Sequence, residues 1–289
     1  MSEPWQTILT LAAGVATGVL SGMFGVGGAV VSTPAIRVLG ATPLEAVGST
    51  IPSVIPSAIS GSLRYRREGL IIGRVALWTL AAGLAATVGG ALLTGAVPGN
   101  GHLLMIATAA LLAFTAFRMA RVPSGARAQA PVDVEDPVGD LAAPASDLVL
   151  AHERDPDRSS PLHRRAEVWR LGLIGLAAGG LSGLLGIGGG VLMVPAFATW
   201  VRLSVKEAVA TSLVCVGALA VPGMVTHAVL GNIDWAFAIP LSIAVIPGAR
   251  IGAHLAIRSS DRGLRLAVAV VLGSIALAYG AGEIIALAF

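Results

Sequence analysis

The sequence is poor in the residues that soluble proteins use to face water. Charged residues fill 12% of its 289 positions, where an ordinary soluble domain carries about 25%. Aromatic residues make up 4%. There is a single cysteine, Cys215, so a disulfide framework is excluded. No HExxH, phosphate-binding loop or Cys/His metal spacing occurs, and neither a metal nor a cofactor is expected. The phrase GVGG at 25–28 does not complete G-x-G-x-x-G and has no βαβ context, which rejects nucleotide binding. The net charge of +3 and pI near 9.7 suggest nucleic acid only at first glance. The arginines flank apolar segments, which is a membrane-topology signal, and no nucleic-acid partner is expected. The first 36 residues lack a basic leading region and a clean cleavage site, so no signal peptide is read.

What the chain has instead is long apolar runs. It is 55% hydrophobic, with a mean hydropathy of +0.83. About 20 apolar residues cross a bilayer. Apolar stretches run over 7–36, 44–63, 75–97, 101–117, 171–198, 207–226, 235–257 and 266–288. The pattern is that of an all-α polytopic membrane protein whose first partner is the lipid bilayer. Between the two groups of four, 120–166 carries eight Asp or Glu residues and no periodic apolar face. It reads as a flexible cytoplasmic linker. The expected organisation is one transmembrane repeat over 1–119, the linker over 120–166, and a second repeat over 167–289.

The two groups repeat each other. Sliding the chain by 161 places 14–36 on 175–197. Gly14, Ala16, Gly18, Leu20, Ser21, Gly22, Gly25, Gly27, Gly28, Val30, Pro34 and Ala35 then each meet their own kind. With one residue inserted, TPLEAVGST at 42–50 meets SVKEAVATS at 204–212. Each of these segments opens with a Ser/Thr-x-x-Glu capping box, Thr42 to Glu45 and Ser204 to Glu207.

Loop charges decide the direction of the repeats. Arg64, Arg66, Arg67 and Arg74 mark a cytoplasmic loop, and so do Arg202 with Lys206 and Arg258 with Arg262 and Arg265. These assignments conflict if all eight segments cross. They agree if 7–36 and 171–198 each enter and return as a glycine-broken re-entrant pair, with two arms of roughly 14 residues. Each repeat then makes three crossings, and the second copy is inverted. Eight plain crossings with parallel repeats are the alternative, with one loop breaking the charge rule.

A glycine costs a helix interior roughly 1 kcal/mol relative to alanine, and SGMFGVGG at 21–28 and SGLLGIGG at 182–189 spend several. Broken helices meeting at the midplane of inverted repeats are the pattern of secondary transporters, and half-helix N-termini suit an anion. Gly25, Gly27, Gly28, Gly186, Gly188 and Gly189 are therefore the candidate substrate-binding glycines. Gly14, Gly18, Gly22, Gly175, Gly179 and Gly183 fit helix packing through small residues. Ser49 and Thr50 align with Thr211 and Ser212 and are candidate hydroxyl donors; the plainer reading is a hydroxyl bonded within its own helix. Glu45 and Glu207 are capping residues with a possible proton-coupling role. His227 could also couple protons, or simply stand at the interface.

The duplicated S-G-x-x-G-x-G-G…P phrase, followed by E-A-V-x-[ST]-[ST], resembles the TauE/SafE sulfite exporter family, also called the four-toluene sulfonate uptake permeases. The resemblance covers both repeats. It implies a non-enzymatic secondary transporter that moves small sulfur-containing anions (sulfite, thiosulfate or organosulfonates) by alternating access across a bacterial plasma membrane, coupled to an ion gradient. Two rivals come from other classes. One is a passive anion channel. The other is a rhomboid-like intramembrane serine protease, because GLSG at 180–183 could offer Ser182 a base in His227 or His254.

Overall fold

The computed structural model describes residues 4–94, 102–121, 161–185 and 188–288, and they are helical almost throughout. Among the described residues ten helices follow in chain order. They are α1 Pro4–Phe24, α2 Ala29–Val38, α3 Pro43–Arg66, α4 Gly73–Thr94, α5 His102–Arg121, α6 Pro161–Leu185, α7 Gly190–Thr199, α8 Val205–Val229, α9 Trp235–Arg258 and α10 Asp261–Ala288. Helix thus reaches into both ends of the linker assigned from sequence, since α5 runs to Arg121 and α6 starts at Pro161.

Each glycine-broken stretch makes two helices, but the arms are unequal. α1 has 21 residues and α2 has 10; α6 has 25 and α7 has 10. The expectation of two equal arms is corrected. The reason is local: the apolar helix before each break runs unbroken to Phe24 and to Leu185, and left-handed glycines follow it at Gly25, Gly27 and Gly28 and at Gly188 and Gly189. Among the described residues six helices, α1, α4, α6, α8, α9 and α10, are long and apolar enough to cross a membrane. α3 has 24 residues but is more polar, with Ser49, Thr50, Ser53, Ser57 and Ser60 all buried along it.

Glycine seams decide the packing. α1 lies along α9, where Gly14, Gly18 and Gly22 sit against the backbone or small side chains of Leu241, Ala244, Val245 and Ala249. A methyl group at Gly18 would collide with the Val245 carbonyl. α6 lies along α4 in the same manner, with Gly175, Gly179 and Gly183 on Thr79, Gly83 and Thr87. Lipid tails give no hydrophobic reward for helix association, so close backbone approach supplies the attraction. In both seams residue numbers rise together, so the paired helices run parallel. α3 crosses α8 in the opposite sense: Gly61 meets Leu213, Gly217 meets Ala58, and Gly223 faces Ile51. α5 packs on α10. Exchanging α1–α5 with α6–α10 therefore maps each of these contacts onto another or onto itself.

The outside of the bundle is apolar. Ile8, Leu77, Leu92, Phe114, Ile243, Val270 and Leu277 are all exposed, a surface that belongs in lipid. Trp5, Trp169 and Trp235 are exposed at the starts of apolar spans, the usual depth of interfacial anchors. Arg250 lies on the exposed face of α9, as a snorkelling arginine does.

Candidate functional site

The two breaks meet. α1 ends at Phe24 and α2 starts at Ala29, with Gly25, Gly27 and Gly28 at φ 68°, 92° and 75°. α6 ends at Leu185 and α7 starts at Gly190, with Gly188 and Gly189 at φ 82° and 67°. L-residues with a side chain avoid this left-handed region, which is why glycine occupies it. Gly190 rests on the Gly25 carbonyl with no space for a methyl group, and Gly188 faces Gly27. Gly25, Gly27, Gly28, Gly188 and Gly189 are all buried. Gly186 lies outside the described residues.

The turn chemistry is the same on both sides. The Ala29 amide donates to the Gly27 carbonyl at 2.9 Å, and the Gly190 amide donates to the Gly188 carbonyl at 2.8 Å. Neither α2, capped by Gly28, nor α7, capped by Gly189, has a side-chain cap on its first amides. Two short helices thus begin deep in the protein with their positive ends uncapped by side chains.

The candidate hydroxyls divide between two tasks. Ser212 Oγ donates to the Gly25 carbonyl at 2.7 Å and so belongs to the first break. Thr50 Oγ1 donates to the Val47 carbonyl at 3.0 Å and lies 3.3 Å from Thr33 Oγ1 of α2. Thr33 also shares a hydrogen bond with the Tyr279 phenol of α10. Ser49 and Thr211 stand elsewhere, as matched loop anchors. Ser49 Oγ accepts the Asp234 amide at 2.7 Å, and Thr211 Oγ1 accepts the Ile72 amide at 3.0 Å.

The titratable candidates are all engaged in the scaffold. Glu45 Oε2 accepts the Thr42 amide at 2.9 Å while Thr42 Oγ1 accepts the Glu45 amide at 3.3 Å. Glu207 and Ser204 repeat this box at 2.8 and 3.3 Å. His227 is buried, with Nε2 3.3 Å from the Gly183 carbonyl and Nδ1 3.2 Å from the Asn232 amide nitrogen. An amide donor on Nδ1 leaves the proton on Nε2, facing the carbonyl, so both ring nitrogens are engaged in the neutral form.

Sequence reasoning passed over two hydroxyls beside the first break. Thr17 and Ser21 of α1 stand against Gly28, and Ser57 Oγ donates to Ser21 Oγ at 2.8 Å. For Thr17 and for Ser57 the available signal was an asymmetry, since their matched positions are Ala178 and Leu219, whereas Ser21 meets Ser182 and carried no such signal. A cavity of about 10 Å³ adjoins this point, lined by Ser21, Gly28, Phe24 and, from α10, Val271 and Leu272. It is about the size of one water, and the breaks themselves are closed on each other through Gly190 against Gly25 and Gly188 against Gly27.

Residues 10–279 match the family described as "Sulfite exporter TauE/SafE". The chain belongs to this family. Within it, the chain is 26% identical over 260 residues to a "Probable membrane transporter protein" of Xylella fastidiosa (strain 9a5c), covering 88% of this chain and 86% of that one. It is 26% identical over 261 residues to the "Probable membrane transporter protein YjnA" of Bacillus subtilis (strain 168), covering 90% and 94%. A third likeness, to "Probable membrane transporter protein YunE" of the same strain, reaches 40% identity over 82 residues, which is 28% of this chain and 29% of that one. No solved structure matches the chain. Family membership and the apolar bundle together make it a multi-pass membrane protein and a membrane transporter.

Proposed function

We propose that this TauE/SafE protein is a secondary carrier of a small sulfur oxyanion or organosulfonate, working by alternating access in a bacterial plasma membrane and driven by an ion gradient. The observation that carries this reading is the meeting of the two glycine breaks, Gly188 facing Gly27 and Gly190 on Gly25, at the uncapped starts of α2 and α7. Taking an anion out of water is costly unless donors replace its hydration. Peptide amides at two helix starts are such donors, and glycine lets a solute reach them.

We further propose that α1–α5 and α6–α10 are inverted repeats joined by a cytoplasmic linker, each beginning with a re-entrant pair. The antiparallel passage of the matched helices α3 and α8 supports inversion. Re-entry is supported at α2, whose Ile36 clusters with Phe237 and Leu241 near the start of α9. Gly14, in the middle of α1, also meets Leu241, so the end of α2 has turned back to the level of mid-α1. In this closed arrangement the halves must separate at the breaks before a solute larger than water can enter, as alternating access requires.

The test is saturable binding and counterflow with purified protein in proteoliposomes, using sulfite, thiosulfate and sulfoacetate as probes. Counterflow acceleration is expected for a carrier and is absent from a passive channel. Gly27→Leu and Gly188→Leu should each abolish flux while the protein still inserts. Wild-type flux in either variant overturns the placement of the site.

A further inference from the structure

The repeat supplies its own control for what the scaffold needs, and two polar positions near the first break, Thr17 and Ser57, depart from it. Thr17 of α1 is fully buried, and its hydroxyl has no hydrogen-bond partner among the described residues. Its γ-methyl is the nearest atom to the space that a Cβ on Gly28 would fill. Ser21, one turn on, stands against the same glycine, and its hydroxyl accepts from Ser57 at 2.8 Å. The second half holds Ala178 and Leu219 where the first has Thr17 and Ser57, and keeps only Ser182. Ala178 and Leu219 are as completely buried as their counterparts, so the same fold is built there without these two hydroxyls.

An orphan hydroxyl in an apolar interior is a stability cost. Threonine in a helix normally avoids that cost by bonding the carbonyl three or four residues back, as Thr10 does with Gln6 at 2.7 Å and Thr87 with Gly83 at 2.9 Å. Thr17 does not. A rotation of about 120° around χ1 carries the hydroxyl into the place its methyl now holds, where it faces Gly28 at the start of α2. Thr79 and Thr115 are also buried orphans. Thr79 instead stands in the α4–α6 seam, where its carbonyl meets Gly175.

We propose that the oxyanion subsite is one-sided: Thr17, Ser21 and Ser57, with the start of α2, grip the oxygen atoms of the anion, and the second half contributes backbone alone. This rests on the carrier reading above and names the side chains that hold its substrate. The unpartnered Thr17 hydroxyl is held in reserve for the solute. Ser57 keeps Ser21 oriented until the anion arrives.

The experiment measures sulfite, thiosulfate and sulfoacetate affinity and thermal stability of the full-length protein in detergent, for wild type, Thr17→Val and Thr115→Val. Loss of one hydrogen bond to a charged group should weaken binding by Thr17→Val about tenfold or more. The same variant should match or exceed the wild-type melting temperature without ligand, because valine removes the orphan and keeps the shape. A structural hydroxyl would do the reverse, lowering stability and leaving affinity alone. Thr115→Val should keep wild-type affinity. If the wild type binds a probe and Thr17→Val binds it equally well, the one-sided subsite is overturned while the carrier reading stands. If the wild type binds none of the three, the carrier reading falls and takes the subsite with it. If Thr17→Val does not fold, Ser57→Ala is read by the same two measurements.

Discussion

Gly22 and Gly183 occupy matched positions in the two halves, and each carbonyl meets the end of the third helix of its own half. In the first half the Tyr65 phenol donates to Gly22 at 2.7 Å; in the second, His227 Nε2 stands 3.3 Å from Gly183. The chemistry differs and the contact is the same. The loop anchors behave alike, with Ser49 on Asp234 and Thr211 on Ile72. So do the capping boxes and the two glycine seams. Against this shared frame the halves part company at Thr17/Ala178, Ser53/Cys215 and Ser57/Leu219. Contacts that persist through a change of residue type are scaffold. Polar groups present in one half only need another reason, and in a membrane interior that reason is functional more often than structural.

The largest effects should come from the breaks, where both halves are expected to matter equally. Leucine at Gly27 or Gly188 forces an L-residue into the left-handed region and fills the meeting point of the two turns. Flux should fall by roughly 100-fold or more in each, measured as radiolabelled sulfite uptake into proteoliposomes with insertion checked separately. Unequal residual rates in the two variants would break the symmetry of the site. Next come the seams. Gly22→Leu and Gly183→Leu drive a side chain into the backbone of Ala249 and Thr87 respectively. Each should cost folded yield and about 3 kcal/mol or more of stability, read from melting of the purified protein. Tyr65→Phe leaves the Gly22 carbonyl without its donor and should cost about 1 kcal/mol.

The sequence carried the frame clearly and the interior poorly. Repeated glycines and prolines, the two capping boxes and the arginine-rich loops are local signals, and each follows from backbone chemistry that a single chain displays. The helix breaks at Gly25–Gly28 and the packing role of Gly14, Gly18 and Gly22 were legible for that reason. The swapped pairing of α1 with α9 and α4 with α6 was not, because close backbone contact leaves only small residues as its trace, and small residues mark every seam alike. Ser49 and Thr50 look equivalent in sequence, yet adjacent positions on a helix face different neighbours: one holds a distant loop and the other meets α2. Thr17 and Ser57 were legible only as a mismatch between halves, a signal that a search for similarity passes over.

The smallest expected effect separates scaffold from mechanism at the two glutamates. Glu45 and Glu207 sit in boxes of nearly identical dimensions, the carboxylate accepting from the cap amide at 2.9 and 2.8 Å and from the cap hydroxyl at 2.8 and 2.7 Å. A glutamine at this position still reaches back to the cap amide but carries no proton through the physiological range. Glu45→Gln and Glu207→Gln should therefore change stability by no more than about 1 kcal/mol and leave the pH dependence of uptake as in the wild type. Thr42→Ala and Ser204→Ala should each cost about 1 kcal/mol, adding when combined because the two boxes share no partner. A flattened pH profile in one glutamine variant would assign proton coupling to that half, and the matched boxes would then be a shared frame put to unequal use.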